Sequence, residues 1–329
     1  MKLAVETRGL TKRYKTALAV DSIDIAVPEG VVCGFLGKNG AGKTTTLKML
    51  VGLKQPTAGS ISIMGQEQAF GRQLSIPFGY LPDVPNFYGY MTGSEFLDLS
   101  GKLCNMPTAT RKARVKELLK QVGLDKTRTR INGYSRGMRQ RLGIAQAMIN
   151  NPPVIFMDEP VSALDPIGRR DIVEIIQSLA NTTVIFSTHI LADVENLCDY
   201  VLIIEKGKIM AQDYMSNLKA LYATGTAKIR FYTPEDTAAF LKQCPVIHTN
   251  KASDTVQDAL ASPAINSATG FTAQAQQDPY ELQLHSQSGD MRHLSHSVTE
   301  ILNASGIAME YFGVHTPHLE DIFYDAISK

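Results

Sequence analysis

Residues 34–53 read Gly-Phe-Leu-Gly-Lys-Asn-Gly-Ala-Gly-Lys-Thr-Thr-Thr-Leu-Lys-Met-Leu-Val-Gly-Leu, and this stretch decides the fold. The apolar run Val31–Leu36 has the length and composition of a short buried strand. It feeds Gly37-Lys38-Asn39-Gly40-Ala41-Gly42-Lys43-Thr44, a full match to G-x-x-x-x-G-K-[ST]. Glycines let a backbone wrap a phosphate at torsions other residues resist. The amides of residues 40–45 then form an anion nest at a helix N-terminus. The pattern gives Lys43 the reach to β- and γ-phosphates and Thr44 a hydroxyl for Mg²⁺.

Outward from this loop, the chain alternates strands and helices. Ala17–Val27 has period two and closes at Pro28-Glu29-Gly30, a strand and turn ahead of the loop. Lys43–Val51 is expected as a helix, Gly59–Gly65 and Phe78–Leu81 as strands, and Ser94–Leu103 as a helix with Ser94 as N-cap. In Arg111–Val122, Val115, Leu118, Leu119 and Val122 share one face, which puts the basic residues on the other. A helix entered at Ser135 runs to Asn151-Pro152-Pro153. Val154–Met157 is a buried strand that delivers Asp158 and Glu159 at its C-terminal end. Ser162–Asp165 is a loop, Ile167–Ala180 a helix, and Thr183–Ser187 a strand ending at Thr188-His189. An acid pair closing a strand downstream of a phosphate loop suits Mg-ATP hydrolysis. Asp158 holds the cation through water, and Glu159 polarises the attacking water. His189 ends a neighbouring strand, and doubly wound sheets bind ligands at those ends.

Composition narrows the class. The 329 residues are 44% hydrophobic and 20% charged, with net charge +1, so the chain as a whole has no bias toward nucleic acid or acidic lipid. Its four cysteines have no C-x-x-C spacing, which indicates neither a disulfide framework nor a zinc site. No apolar run approaches membrane-spanning length, and the chain is expected in the cytoplasm. The charge is unevenly spread: residues 111–141 carry eleven Lys or Arg against two acids, and residues 221–329 carry six against twelve. The basic segment admits a solvated face, a surface near anionic lipid, or a nucleic-acid patch. The shift in balance places a domain boundary near residue 220. Beyond it, Ala227–Tyr232, Tyr280–His285 and Ile307–Val314 are expected as strands and Thr237–Gln243, Met291–Ser305 and Leu319–Ile327 as helices. Residues 261–279 are expected as an exposed loop.

The order of these motifs over residues 3 to about 215 resembles the ATP-binding subunits of ABC transporters. The resemblance implies an α/β P-loop NTPase: a RecA-like core, an antiparallel β subdomain and an α-helical signature subdomain, with a small C-terminal α+β domain. It divides the chain into an ATP-binding domain at 1–220 and an accessory domain at 221–329. It implies ATP and Mg²⁺ as cofactors. Tyr14 would stack on adenine, and Gly37, Lys38, Asn39, Gly40, Ala41, Gly42, Lys43, Thr44 and Thr45 would hold the phosphates. Asp158 takes the Walker B position, Glu159 that of the catalytic glutamate, and His189 that of the switch histidine. Asp165 closes the D-loop. Tyr134-Ser135-Arg136-Gly137-Met138 stands where the family has Leu-Ser-Gly-Gly-Gln, so Ser135 and Gly137 would meet the γ-phosphate of a second copy.

Asp83 stands in the place of the Q-loop glutamine; an ionised carboxylate cannot donate a hydrogen bond and would act on Mg²⁺ or water instead. With a single phosphate loop, the resemblance implies a homodimer or a paralogous ATPase partner, a separately encoded membrane permease, and a place on the inner face of the cell membrane. No nucleic acid is expected. Gly79-Tyr80-Leu81-Pro82-Asp83, Tyr134–Arg141 and the ending Pro317–Phe323 look like exporters of the daunorubicin and bacitracin type. Two other readings remain: a soluble ABC-type ATPase acting on ribosomes or DNA, and an acidic tail serving regulation or dimerisation.

Overall fold

The computed structural model describes residues 2–15, 17–68, 76–162, 164–179, 182–222, 226–243, 271–275, 278–286, 291–314 and 318–328. In chain order these form β1 (Leu3–Tyr14), β2 (Ala17–Pro28), β3 (Val32–Leu36), α1 (Lys43–Leu50), β4 (Ala58–Ile63), β5 (Gln66–Glu67) and β6 (Phe78–Leu81). Next come α2 (Gly93–Leu103), α3 (Thr108–Gln121), a 3-10 turn (Ile131–Gly133), α4 (Arg136–Ala147), β7 (Val154–Asp158) and α5 (Pro166–Gln177). They are followed by β8 (Thr183–Thr188), α6 (Leu191–Leu197), β9 (Tyr200–Glu205), β10 (Lys208–Tyr214) and α7 (Met215–Tyr222). The remainder is β11 (Thr226–Phe231), α8 (Pro234–Leu241), β12 (Phe271–Ala275), β13 (Glu281–Ser286), α9 (Met291–Ser305), β14 (Met309–Val314) and α10 (Leu319–Ser328).

Contacts divide the chain into two units, 1–217 with 319–329, and 218–318. The first unit holds a six-stranded sheet of order β10-β9-β3-β8-β7-β6, parallel except for β10. Its inner strands carry unbroken apolar runs because both faces are covered: every residue of β7 and β8 is buried. An antiparallel sheet, β2-β1-β4-β5, shares its core with α1 and β3 through Val5, Ile25, Ile61, Leu47 and Phe35. Full burial of such side chains contributes about 1.5–3 kcal/mol each. Helices α2, α3 and α4 pack on one another. The closing helix α10 belongs to this unit, packing against α6 and β10 with Leu319 and Ile322 fully buried.

Several expectations are corrected here. Thr92, not Ser94, caps α2, in a reciprocal capping box with Glu95. Arg111 does not lie on the solvent face of α3; it is buried, bonding Asp98 at 2.7 Å and the Met106 carbonyl at 3.0 Å. Helix α8 starts earlier than expected, at Pro234 behind a Thr233 cap.

The second unit has the order β12-β13-β11-β14, all antiparallel, in a β-α-β-β-α-β sequence of elements. Its core joins Ile229, Phe231, Phe240, Phe271, Leu284 and Val298. Residues 271–275 are a strand, not part of an exposed loop. Phe271 and Ala273 alternate inward, a period-two pattern that an Ala- and Gln-rich setting conceals. Residues 223–225, next to the expected boundary near 220, and the first part of the expected loop, 261–270, lie outside the described residues.

Candidate functional site: a phosphate loop beside an acid-tipped strand

The phosphate loop leaves β3 at the centre of the parallel sheet. Gly37 N donates to the Thr188 carbonyl (3.3 Å), and Gly207 N donates to Ala41 O (2.9 Å), so the loop is fastened to β8 and to the β9–β10 turn. Two glycines are required by space. A Cβ on Gly37 would fall 2.5 Å from the Ile204 carbonyl oxygen. Gly42 has φ +116°, and its Cβ would fall 2.7 Å from the Ala19 oxygen. Gly42 caps α1 without a side chain, so no side-chain acceptor competes for the amides of the first turn.

Lys43 is buried and donates to the carbonyls of Gly37 (2.6 Å) and Lys38 (3.2 Å), with Nζ 3.5 Å from Glu159 Oε1. Thr44 Oγ1 donates to Asp158 Oδ1 at 2.9 Å, and Ser187 Oγ donates to the same oxygen at 2.7 Å. Glu159 N donates back to Ser187 Oγ at 2.9 Å. Glu159 has φ +49°, a left-handed conformation that costs a non-glycine residue of order 1–3 kcal/mol and persists where surroundings impose it. Its carboxylate meets His189 Nδ1 at 3.1 and 3.2 Å. A cleft of about 360 Å³ opens here. It is lined by Ala19, Asn39, Gly40, Gly42, Lys43, Thr44 and Thr45, and by Asp83, Glu159, Ser162 and His189.

The remaining expected site residues fall elsewhere. Ala41 is buried within the loop, and the Lys38 side chain is exposed. Tyr14 stands beside the cleft, half-open, with Lys54 Nζ 4.6 Å and Lys12 Nζ 5.4 Å from its ring centre. Burial raises its pKa, but hydrogen bonds from Lys54 and Thr45 and the charges of Lys54 and Lys12 bring the net shift downward. Asp165 caps α5, accepting from Gly168 N at 2.9 Å. Ser135 caps α4, accepting from Met138 N at 3.2 Å. Asp165, Ser135 and Gly137 do not line the cleft of their own chain. A Cβ at Gly137 would stand 3.8 Å from the Leu164 side chain, which brings the signature turn beside the loop before α5. Ala163 lies outside the described residues.

Ser187 is the residue that sequence reasoning missed. It reads as one more position of a buried strand, and only the pairing of Asp158 with Ser187 across β7 and β8 reveals it as the joint between the two acids. Tyr80, on the neighbouring strand, has a buried hydroxyl whose pKa burial, then the charges of Asp158 and Asp83, push up to about 12.

The donor set is suited to a hard cation. A threonine hydroxyl and a carboxylate 2.9 Å apart supply oxygen ligands, and Asp83 lines the same cleft. Among the described residues no group of three His, Cys, Asp or Glu assembles into a metal site, so phosphate and water oxygens would complete the shell.

A phosphate loop opening α1 and an acid-tipped strand, side by side in a mostly parallel sheet, define a P-loop nucleotide hydrolase. The family model described as ABC transporter matches residues 20–162. The uncharacterised ABC transporter ATP-binding protein YxlF of Bacillus subtilis is 42% identical over 219 residues, 66% of this chain and 72% of that protein. The bacitracin transport ATP-binding protein BcrA of Bacillus licheniformis is 40% identical, over 67% of this chain and 72% of its own length. The daunorubicin/doxorubicin resistance ATP-binding protein DrrA of Streptomyces peucetius is 34% identical, over 71% and 72%. A solved ATP-binding subunit of an ABC transporter superposes with TM-score 0.59 at 29% identity, over 67% of this chain and 93% of that one. The ADP- and Pi-bound dimer of the cassette MJ0796 shares the fold, with TM-score 0.58 at 24% identity, over 64% and 98%. This chain belongs to the family of ABC transporter ATP-binding proteins, and it is an ATP-binding ATPase. Among the described residues no helix is long and apolar enough to cross a membrane.

Proposed function

We propose that two copies of this chain, or one copy and a paralogue, close head to tail on two ATP molecules and drive a separate membrane permease of the exporter type. One observation carries this reading. Within a single chain, the phosphate loop, Asp158, Glu159 and His189 share one cleft, while Ser135 and Gly137 lie outside it. The Ser135 turn opens α4 and is suited to a phosphate, so a second copy completes the site. Similarity to the bacitracin transport and the daunorubicin/doxorubicin resistance ATP-binding proteins supports an export role. An exposed tyrosine pair, Tyr88 and Tyr90, with ring centres 5.9 Å apart, offers the permease an apolar contact. The subunit would then sit on the inner face of the membrane.

In the site, Lys43 and the amides of the loop and of α1's first turn hold the β- and γ-phosphates. Thr44, Asp158 and Asp83 would hold Mg²⁺, which would supply charge neutralisation at the phosphates. Glu159 takes up a proton from the attacking water, and His189 keeps that carboxylate aimed at the γ-phosphate. Tyr14 receives the adenine. Asp165 orders the loop that faces the other copy. The first unit is the ATP-binding domain, and residues 218–318 form an accessory module.

The test is Glu159→Gln, which keeps shape and hydrogen bonding but cannot take a proton. We expect ATP-dependent dimers by size-exclusion chromatography and a kcat lower by at least about 10²-fold. Turnover like that of the wild type would remove Glu159 from the role, and a monomer at saturating ATP would remove the dimer.

A further inference from the structure

A partly buried ion pair outside the nucleotide cleft joins the two helices that flank the hydrolytic residues. Arg169, in the first turns of α5, donates to Asp193 Oδ1 from Nε at 2.8 Å and from Nη2 as well. The Asp193 side chain is 6% exposed and sits on α6. A carboxylate this deeply buried is unfavourable unless it is paired, so the tie holds strongly once made. Beside it, a cleft of about 320 Å³ walled by Leu164, Pro166, Val173 and Leu197 lies between α5 and α6. Arg169 and Asp193 themselves line this cleft, so the charged pair bridges the helices at its wall.

The two ends of this tie lead to the same carboxylate. Arg169 N donates to the carbonyl of Asp165, the cap of α5, and the loop before it begins with Ser162, whose N and Oγ donate to Glu159 O at 3.2 and 3.0 Å. On the other side, Asp193 N donates to Ile190 O at 3.3 Å, and Ile190 follows His189, whose ring meets the Glu159 carboxylate at 3.1 Å. The contacts therefore close a ring: Glu159, the loop, α5, the ion pair, α6, His189 and Glu159 again.

We infer that Arg169 and Asp193 are positioning residues for hydrolysis: their ion pair sets the distance between His189 and Glu159 by locking α6 to α5. Neither side chain lines the nucleotide cleft, so both act through His189. Because α5 starts at the loop that faces the other copy, displacement of that loop is passed through the pair to the histidine. This inference rests on the reading of Glu159 and His189 as the hydrolytic pair.

Full-length wild type is compared with Arg169→Lys, Arg169→Gln and the double variant Arg169→Gln/Asp193→Asn. Removing Arg169 alone strands a buried charge and lowers the Tm. The double variant removes both charges and regains much of that Tm, which separates fold from position. We expect kcat to fall between about tenfold and a hundredfold in Arg169→Gln and to stay low in the double variant. Nucleotide Kd, measured with a fluorescent ATP analogue, should change less than about twofold, and Arg169→Lys should recover part of kcat. The His189 ring ¹⁵N resonance, assigned with His189→Gln, should shift in both charge-removing variants. Recovery of kcat together with Tm in the double variant would reduce the pair to a fold contact and overturn the inference. So would an unmoved His189 resonance. Failure of the wild type to dimerise would count against the dimer alone, because the resonance reports on a single chain.

Discussion

Glu159 reaches its position through a backbone torsion that an L-residue resists. Its φ of +49° turns the carboxylate out of the line of β7 and into the cleft. Ser187 holds that turn, accepting from Glu159 N while donating to Asp158, so a single hydroxyl registers both acids. Ser187→Ala leaves the Glu159 amide without this acceptor, at a cost of about 1–3 kcal/mol. We expect its kcat to drop by about tenfold to a hundredfold while ATP affinity is kept, because the phosphate contacts proposed above come from Lys43 and the loop. Steady-state ATPase assays beside nucleotide titrations check this split; parallel losses in both would place Ser187 in binding instead. The loop motif and the Asp-Glu pair are legible as sequence because their residue types and spacing carry the chemistry. Ser187 is not, because its partners lie 28 and 29 positions away and meet it only when β7 pairs with β8.

At the scale of elements, caps and buried polar ties set where helices begin and how they pack. Helix α2 is anchored to α3 through Asp98, which bonds Arg111 at 2.7 Å and Lys102 at 2.9 Å. The hydrogen bond from Arg111, then that from Lys102 and the charge of both, hold the Asp98 pKa below the usual carboxylate range. The folded-state pKa is thus below the unfolded one. The resulting stabilisation is full above the ordinary aspartate range and is lost as pH falls through the depressed value. Asp98→Asn should therefore have a lower Tm than the wild type at pH 7, and the two melting curves should converge as the pH is taken below 4. A gap that stays constant with pH would mean that the carboxylate charge is not what Arg111 responds to. Arg111 was expected in solvent because a basic residue next to an apolar stripe is usually outside. It is inside because its guanidinium finds Asp98 and the Met106 carbonyl there.

For the whole molecule, the last helix is the informative piece. By position it follows the second unit, yet α10 packs on α6 and β10 of the first, with Leu319, Ile322, Phe323 and Ala326 buried. Ile322→Ala should lower the stability of the ATPase unit by about 2–5 kcal/mol, read as a shift of the nucleotide-stabilised thermal transition. An unchanged transition would show that α10 is dispensable to that unit.

The P-loop class, most of the strand-helix alternation from residue 17 to residue 205 and the choice of Asp158, Glu159 and His189 as candidate site residues came from sequence alone. Each rests on local periodicity or on residue types at fixed spacing, which need no distant partner. Tertiary structure decided the rest. It buried Arg111, made 271–275 a strand, returned α10 to the first unit, joined Asp158 to Glu159 through Ser187 and tied α5 to α6 through Arg169 and Asp193. All of these depend on partners outside the local segment, where a charge or a short alternation gains its meaning only from what folding places against it.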